Sequence, residues 1–491
     1  MSENHPDGYQ KHERKAIGKR KPEERVKDFD QIWAPSWEEQ QLRDQGERCM
    51  DCGIPTCMGG CPIGNIIPDW NDLVYRGDWK EALNRLHATN NFPEFTGYTC
   101  PAPCEKSCTL AYNDAPVTIK SMERAIVDKG WENGWIKPEP PEERTGFNVA
   151  VIGSGPAGMA AAQQLNRAGH EVTVFERDDT IGGLMTYGIP DFKFAKKQVK
   201  RRVDQLSREG VNFMTNTEVG TNIPFERLCD DFDAVCLAIG AQKHRNLPLP
   251  GRDLDGVHFA MNYLIKENRR QANRPVENMI DAKDKNVMVL GGGDTGADCV
   301  ATAHRQGAKQ VIQISINPQK PNVRPDNNPW PEQPLIHKVT YAQEEGAVEE
   351  FSINTNGFVD EDGDGRVDYL DAEKVEWTYD ENGKRVDKTI VEGGLKLPAD
   401  LVLIAIGFEG AEDGPFKGSG LEVENGTFKV DENMMTNIPG VFVAGDARRG
   451  QSIVVWAIGE GRDAARNIDK YLMGTSDLPP SLQTINAPNE K

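Results

Sequence analysis

The sequence has 491 residues, which at roughly 150 residues per domain leaves room for about three domains, each with its own core. Its 57 Lys and Arg stand against 77 Asp and Glu, a net charge of -20, so nucleic acid and anionic membrane surfaces are poor partners. No apolar run approaches the roughly 18 residues of a membrane-spanning helix, and the charged N-terminus lacks the apolar core of a secretion signal. We therefore expect a globular, cytoplasmic protein.

The first region, residues 1–145, shows no strand-like alternation and is predicted to be helical, with helices over residues 70–86 and 120–129. Eight Lys and Arg lie between Lys11 and Lys27, but three glutamates interrupt them. This pattern favours a solvated arm or a docking segment over a basic binding patch. The Pro-rich and charged residues 137–146 are predicted to be a linker.

Seven of the ten cysteines lie in this first region, at short spacings: Cys49, Cys52, Cys57 and Cys61, then Cys100, Cys104 and Cys108. In a reducing compartment such an odd, clustered set indicates metal ligation and not disulfides. The spacings alone fit zinc and iron–sulfur clusters equally well. Two 4Fe-4S clusters need eight ligands, so seven cysteines leave one position that an oxygen ligand would fill.

The linker is followed by a strand, a glycine-rich turn, an Ala-rich helix and a second strand ending at Glu176. This order predicts a dinucleotide-binding unit, in which the helix N-terminus stabilises a pyrophosphate and the acidic residue binds the ribose hydroxyls. We expect FAD here; a relic of the fold that binds nothing is the alternative. The predicted contacts of the turn are Gly153, Gly155, Pro156, Ala157 and Gly158.

Two further segments are predicted to contact the same flavin. The Gly-rich, apolar residues 182–190 are typical of chain laid against an isoalloxazine ring, with Gly183 and Leu184 as contacts. Near the C-terminus a strand ends in Ala-Gly-Asp before a helix, which is the usual closing motif of FAD proteins and places Gly445 and Asp446 at the dinucleotide. The alternative for Asp446 is a simple helix cap.

A second fingerprint, with Gly291 and Gly293, opens another strand–helix unit and predicts a nicotinamide nucleotide. No acidic residue ends its second strand, and Lys320 and Arg324 follow, which favours the 2'-phosphate of NADPH over NADH. Ordinary loop charges are the alternative for these two cations. Asp294 and Thr295 are predicted either to contact the nicotinamide or to cap the helix.

The apolar strands 233–241 and 399–408 each end in Gly and mark crossings between the two nucleotide units. We therefore predict an α/β fold with a helical iron–sulfur domain (1–145), an FAD domain (146–241 and 409–491) and an NAD(P)H domain (242–408) inserted into it.

Residues 350–395 alternate between polar and apolar residues as in a β-meander, with turns at residues 362–366 and 381–384. Residues 360–371 have acidic EF-hand-like spacing but lack the final Glu and flanking helices, which favours a hairpin turn over a calcium site.

A flavin beside the cysteines favours iron–sulfur over zinc, because zinc exchanges no electrons. A redox disulfide at Cys49 and Cys52 is disfavoured, since both lie outside the nucleotide units. Hydride transfer needs stacking and distance more than a protein acid or base, so we predict no catalytic side chain. The sequence thus predicts an enzyme, an NAD(P)H-dependent oxidoreductase.

The stretches RCMDCGIPTC, TGYTCPAPCEKSCTL, PVTIKSMERAI, GGLMTYGIPDFK, NPWPEQP and AGDARRGQSIVVWAIGEGR, within about residues 48–472, carry a more specific resemblance. The chain resembles the small (β) subunit of bacterial NAD(P)H-dependent glutamate synthase, and shares its architecture with dihydropyrimidine dehydrogenase. The resemblance implies one cluster on Cys49, Cys52, Cys57 and Cys108. It implies a second on Cys61, Cys100 and Cys104, with Glu123 as fourth ligand; from the sequence alone Glu123 is a surface helix carboxylate.

The resemblance also implies the reaction and the partner. A small subunit of this kind oxidises NAD(P)H at FAD and sends electrons through two 4Fe-4S clusters to a large, FMN-containing subunit that makes glutamate from glutamine and 2-oxoglutarate. One alternative keeps the electron path but delivers to ferredoxin, sulfur species or a pyrimidine-reducing partner. Another, from a different class, is a non-catalytic subunit that only carries cofactors during assembly.

Overall fold

The computed structural model describes residues 7–34, 37–380 and 385–481. Before Asn148 the described chain contains helices and no β-strand, apart from an isolated bridge between Lys19 and Trp33. A 3-10 turn covers Thr109–Tyr112. The helices of this region are α1 (Gly8–Lys11), α2 (Pro22–Arg25), α3 (Glu39–Glu47), α4 (Thr56–Gly59), α5 (Ile67–Arg76), α6 (Trp79–Thr89), α7 (Pro93–Thr99), α8 (Pro103–Lys106) and α9 (Ile119–Glu132).

The prediction of one helix over residues 70–86 is wrong, because this stretch is divided between two helices, α5 and α6. Gly77 ends α5 in the left-handed conformation (φ 83°), which favours glycine. Asp78 then caps α6, its carboxylate accepting the backbone N–H of Glu81. The helix predicted over residues 120–129 is confirmed within α9.

The basic arm is anchored to the rest of the chain through Arg25, while all five of its lysines are exposed. Arg25 is 1% exposed, and its guanidinium Nε lies 2.6 Å from the Glu345 carboxylate. Ile32 donates its backbone N–H to the Phe192 carbonyl at 2.8 Å. The arm therefore packs across the nucleotide-binding region.

The first nucleotide unit begins with β1 (Asn148–Ile152), α10 (Pro156–Arg167), β2 (Glu171–Phe175), α11 (Leu184–Tyr187), α12 (Lys197–Glu209), β3 (Asn212–Met214), α13 (Phe225–Asp231) and β4 (Ala234–Leu237). The next elements are β5 (Lys243–His244), β6 (Val257–Phe259), α14 (Ala260–Gln271), β7 (Asn286–Leu290), α15 (Asp294–Gln306), β8 (Gln310–Ser315) and α16 (Tyr341–Glu344). They are followed by the strands β9 (Val348–Phe351), β10 (Ile353–Val359), β11 (Tyr369–Tyr379), β12 (Arg385–Pro398) and β13 (Leu401–Ile404). The chain ends with β14 (Phe408–Gly410), β15 (Val423–Glu424), β16 (Thr427–Phe428), β17 (Val441–Val443), α17 (Asp446–Arg449) and α18 (Val454–Met473), with a 3-10 turn at Gly414–Phe416.

Two parallel five-stranded sheets organise these elements. The first has the order β17-β4-β1-β2-β3 and the second β6-β13-β7-β8-β9. Their central strands β1 and β7 are almost wholly apolar and buried, as expected for parallel strands covered on both faces. The chain leaves the first sheet after β4, builds the second, and returns for β17, which confirms the predicted α/β fold with one nucleotide unit inserted in the other.

The predicted meander is confirmed as the antiparallel sheet β10-β11-β12. Residues 360–368 form the turn between β10 and β11, where the Asp360 carboxylate accepts the backbone N–H groups of Gly363 and Gly365. This is a hairpin turn, as expected, and one carboxylate oxygen from each of Asp360, Asp362 and Asp368 in it lies within 4.8 Å of the others. The second predicted turn, residues 381–384, lies outside the described residues.

Helix α18 joins two cores. Ile458, Ala464 and Ala465 belong to the core built on the first sheet. Val455, one turn earlier, packs in the core of the N-terminal region together with the buried cysteines. The first sheet and the cysteine-bearing helices are therefore held against the same helix.

Candidate functional site

The first glycine-rich turn borders a cavity that is also lined by residues from β2, α11 and α17. Gly153 has φ 99°, and a Cβ placed on Gly158 would lie 1.9 Å from the Gly153 carbonyl oxygen, so close packing fixes both positions. A Cβ on Gly155 would meet no atom within 4 Å. Gly155 thus presents bare backbone to the cavity at the start of α10, together with Pro156 and Ala157.

Glu176 lies directly after β2 and lines the same cavity, although its side chain is mostly buried. One of its carboxylate oxygens accepts the backbone N–H of Ser154 at 3.1 Å and also the Ser154 hydroxyl. The other accepts the backbone N–H of Asp178 at 2.9 Å. These donors hold the carboxylate beside the turn, where it can accept ribose hydroxyls.

The C-terminal motif reaches the cavity from the other side. Asp446 is the first residue of α17 and lines the cavity, and its carboxylate accepts the Ser452 hydroxyl at 2.5 Å. Burial raises the pKa of Asp446 to about 6. Gly445 precedes it with φ 71° and donates its N–H to the fully buried Glu460 at 2.9 Å. Glu460 also pairs with Arg448 and thereby fixes α17.

Gly183 and Leu184 also line this cavity. A Cβ on Gly183 would lie 2.9 Å from the Gly155 Cα, so residue 183 has no room for a side chain beside the turn. Leu184 begins the short helix α11. The structure therefore gathers the turn, Glu176, residues 183–184 and Asp446 around one cavity.

The second fingerprint repeats the local geometry of the first. Gly291 has φ 123°, and a Cβ on Gly296 would lie 2.4 Å from the Gly291 carbonyl oxygen. Gly293 is the N-cap residue of α15, and a Cβ there would meet nothing within 4 Å. Asp294 is the exposed first residue of the helix and Thr295 is half-buried; no side chain provides an N-cap hydrogen bond to α15.

The two loop cations lie differently. Lys320 is exposed. The guanidinium Nη1 of Arg324 donates to the carbonyls of Asn328 at 3.0 Å and of Glu332 at 2.9 Å. Arg324 therefore holds its own loop together, and only its remaining nitrogens are left for a phosphate.

Four cysteines, three from residues 49–57 and one from a distant segment, surround one small cavity: Cys49, Cys52, Cys57 and Cys108. The remaining lining is mostly apolar, including Ile67, Leu110 and Val117. Burial raises the pKa of Cys49 to about 12 and raises the pKa values of Cys57 and Cys108 as well. Thiols gathered in this way form a soft, sulfur-rich donor set.

A second group comprises Cys61, Cys100, Cys104 and Glu123, in which the charges on Cys61, Cys100 and Glu123 each raise the pKa of another member. Burial is the largest cause and raises the pKa of Cys61 to about 11 and that of Cys100 to about 12. All four side chains are buried. Glu123 is therefore a buried carboxylate and not the surface residue that its sequence position alone suggests.

The surroundings of Glu123 are specific. Its Oε1 accepts hydrogen bonds from Thr96 at 2.8 Å, Asn90 at 3.0 Å and Asn65 at 3.3 Å. Burial nevertheless raises its pKa to about 7. All three donors reach the same oxygen, so Oε2 is the atom that can serve as a ligand. A metal cluster fits both groups, because iron cations would favour the deprotonated thiols that burial alone disfavours.

Sequence reasoning missed the residues that position these groups. Ser154 orients Glu176, Asn90 and Thr96 orient Glu123, and Glu460 anchors α17. Ser154 lies inside the fingerprint, so its place in the motif was a usable signal. The partners of Glu123 come from separate segments of the chain, and no local pattern identifies them.

The fold and these sites define a pyridine-nucleotide oxidoreductase with an iron–sulfur domain at its N-terminal end. The family "pyridine nucleotide-disulphide oxidoreductase" matches residues 147–461, and "dihydropyrimidine dehydrogenase domain II, 4Fe-4S cluster" matches residues 25–135. The chain is 51% identical to the "glutamate synthase [NADPH] small chain" of Mycobacterium tuberculosis over 98% of this chain and 99% of that one. It is 51% identical to the protein of the same name in Bacillus subtilis, over 96% and 99%. The chain belongs to the glutamate synthase small-chain family, and the predicted oxidoreductase class and 4Fe-4S chemistry are confirmed.

Two other comparisons involve a much longer relative and a solved structure of low sequence identity. The "glutamate synthase [NADH]" of Schizosaccharomyces pombe is 46% identical over 96% of this chain, which covers 23% of that longer protein. Among solved structures, Mycobacterium tuberculosis FprA in complex with NADPH has a TM-score of 0.54 and 19% identity, over 67% of this chain and 85% of FprA. That likeness concerns the fold alone. Within the described residues, no helix has the length and apolar character needed to cross a bilayer.

Proposed function

We propose that this chain is the reductase subunit of a glutamate synthase. It binds FAD, NADPH and two 4Fe-4S clusters, oxidises the NADPH, and delivers the electrons to a large, FMN-containing subunit that makes glutamate from glutamine and 2-oxoglutarate. When bound, the flavin supplies two-electron acceptance from the nucleotide and the clusters supply one-electron transfer.

One observation carries the proposal, namely the position of α18. Ala457 on this helix lines the flavin cavity. Val455 packs with the buried cysteines, and a Cβ on Gly459 would lie 3.0 Å from Ile63, two residues after Cys61. The same helix therefore borders the flavin cavity and lies against the chain just after Cys61, and we infer that the Cys61 group is the first electron acceptor.

We assign the binding residues as follows. The turn at Gly153, Gly155 and Gly158 receives the FAD pyrophosphate, Glu176 accepts ribose hydroxyls, and Asp446 lies at the middle of the dinucleotide. The first cluster is held by Cys49, Cys52, Cys57 and Cys108, and the second by Cys61, Cys100, Cys104 and Glu123. The family resemblance and the two gathered groups support these ligand sets.

The nucleotide site lies at the N-terminus of α15. Gly291 and Gly293 leave the helix amides open to a pyrophosphate, with Asp294 and Thr295 beside it. Lys320 is available to the 2'-phosphate, and Arg324 shapes the same loop. Because hydride transfer depends on stacking, we assign no side chain as a catalytic acid or base.

The partner and the setting complete the proposal. The fission yeast relative is a single longer protein of which this chain matches 23%, which supports a large partner polypeptide for the part that this chain lacks. The reduced thiols suit the cytoplasm. We keep the boundaries 1–145, 146–241 with 409–491, and 242–408 as the proposed domains, since each nucleotide-binding sheet falls within one of them.

Reconstitution of the two-subunit enzyme tests the proposal. The chain and the large subunit from the same source would be purified together without oxygen, and glutamate formation from glutamine and 2-oxoglutarate would be followed with NADPH as the only reductant. We expect glutamate only when both chains are present. If NADPH reduces a dye but the pair makes no glutamate, the chain serves another acceptor, such as ferredoxin.

A further inference from the structure

A loop from the second nucleotide unit lies against the first cysteine group. We call residues 324–335 the strap. The Trp330 indole Nε1 donates a hydrogen bond to the Cys108 carbonyl at 3.2 Å, and the Ser107 hydroxyl donates to the Pro331 carbonyl at 3.1 Å. Trp330 also packs edge-on against Tyr112, with ring centroids 5.9 Å apart. The strap is 222 residues from Cys108 in sequence, so only the tertiary fold brings the two together.

The strap has its own internal framework. Arg324 donates to the carbonyls of Asn328 and Glu332, which draws its two ends together. Asn328 is buried; its amide donates to the Glu332 carboxylate at 3.0 Å, and its Oδ1 accepts the Leu335 backbone N–H at 2.8 Å. A loop cross-linked in this way presents Trp330 in a fixed orientation and loses little entropy on contact.

The contact falls on the more accessible of the two cysteine groups. Cys49 and Cys52 are only half-buried, whereas Cys61, Cys100 and Cys104 are all buried. Cys108 belongs to the accessible group, and the adjoining Ser107 is buried beneath the strap. The strap therefore covers the Cys108 side of a site that is otherwise the more open to solvent.

We propose that the strap shields the first cluster, and that Trp330 is a positioning residue that fixes the Cys108 backbone through its indole N–H. The inference rests on the proposed function, because it assumes a cluster on Cys49, Cys52, Cys57 and Cys108. Its consequence is that a residue of the nicotinamide-binding part controls solvent access to, and the geometry of, a cluster in a different part of the chain.

The test compares two tryptophans in the complete, cofactor-loaded protein. Trp330→Phe keeps the ring contact but removes the hydrogen bond to Cys108. Trp377→Phe is the matched control, because the half-buried Trp377 also donates its indole N–H to a backbone carbonyl, that of Ile316 at 3.0 Å, away from the cysteines. Loss of visible iron–sulfur absorbance after mixing with air-saturated buffer would be timed for each.

We expect Trp330→Phe to bleach about fivefold faster than wild type, the factor that corresponds to about 1 kcal/mol for one lost hydrogen bond. Trp377→Phe should bleach at the wild-type rate. Low-temperature EPR of the dithionite-reduced proteins should show altered g-values for one cluster in Trp330→Phe only. Ser107→Ala, which removes the other hydrogen bond, should shift the bleaching rate in the same direction.

Equal bleaching rates and equal EPR spectra for Trp330→Phe and Trp377→Phe would overturn the inference. This result is distinguishable from failure of the proposed function. Wild-type protein that contains iron and reduces a dye with NADPH, but is insensitive to Trp330, refutes the strap alone. Wild-type protein without iron refutes the function on which the strap depends.

Discussion

The glycines of the first turn make different contacts, and this difference gives a sharp prediction for Gly155→Ala. Gly155 has φ -65° and ψ 179°, an extended conformation open to any residue, and its added Cβ meets nothing within 4 Å. The flavin-free variant should therefore be as stable as wild type to within about 0.5 kcal/mol. The methyl group would, however, occupy the space through which a pyrophosphate approaches the backbone. Two weakened hydrogen bonds to a charged group, at about 1.5 kcal/mol each, predict a loss of about 3 kcal/mol in FAD binding.

That loss corresponds to an increase of about 150-fold in the dissociation constant of FAD. It would be measured by fluorescence titration of flavin-free protein, with urea unfolding of the same samples as the stability control. Gly158→Ala is the contrasting variant, since its Cβ would lie 1.9 Å from the Gly153 carbonyl oxygen and should destabilise even the flavin-free protein by about 1–3 kcal/mol. Unchanged FAD affinity in Gly155→Ala would refute the placement of the pyrophosphate at this turn.

Three further predictions concern buried charges. Glu123→Gln should lower bound iron by about half while FAD content stays at the wild-type level, as measured by metal analysis; full iron would remove Glu123 from the ligand set. In the wild type, Arg202 binds the fully buried Glu94 carboxylate through two nitrogens, with Nη2 2.8 Å from Oε2. Arg202→Met removes this partner and should lower the free energy of unfolding, measured in urea, by about 3–5 kcal/mol. A decrease under about 1 kcal/mol would contradict a buried ion pair between α7 and α12. Burial raises the pKa of Asp446 to about 6, so the flavin-free native state loses stability as pH rises through that value. Relative to Asp446→Asn, flavin-free wild type should lose about 1 kcal/mol between pH 5.5 and 8, and parallel pH profiles would contradict this.

Much of the fold was predictable because its signals are local. Each fingerprint combines a buried strand, a turn with glycines at fixed positions and a helix, so the two nucleotide units follow from short segments of sequence. The break between α5 and α6 was also local, since Gly77 and Asp78 are a C-terminal and an N-terminal helix signal in sequence. The single predicted helix gave too much weight to the apolar periodicity on either side of them.

The division of the cysteines was not predictable from spacing. Cys57 and Cys61 are four residues apart but belong to different groups, while Cys49 and Cys108 share one cavity. These groupings depend on how α4, α8 and α9 pack, and the sequence supplied them only through the family resemblance. Burial of Arg25 and of Glu123 was equally invisible, because their partners lie in distant segments.

The central claim is that nucleotide, flavin and cysteine-bound iron occupy one chain and are connected for electron transfer. Anaerobic purification followed by analysis of iron, acid-labile sulfide, zinc and FAD in one sample tests it most directly. Two 4Fe-4S clusters predict about eight iron and eight sulfide per FAD, with the flavin absorbance bleached by added NADPH. Zinc in place of iron, or flavin that NADPH does not bleach, would contradict the account.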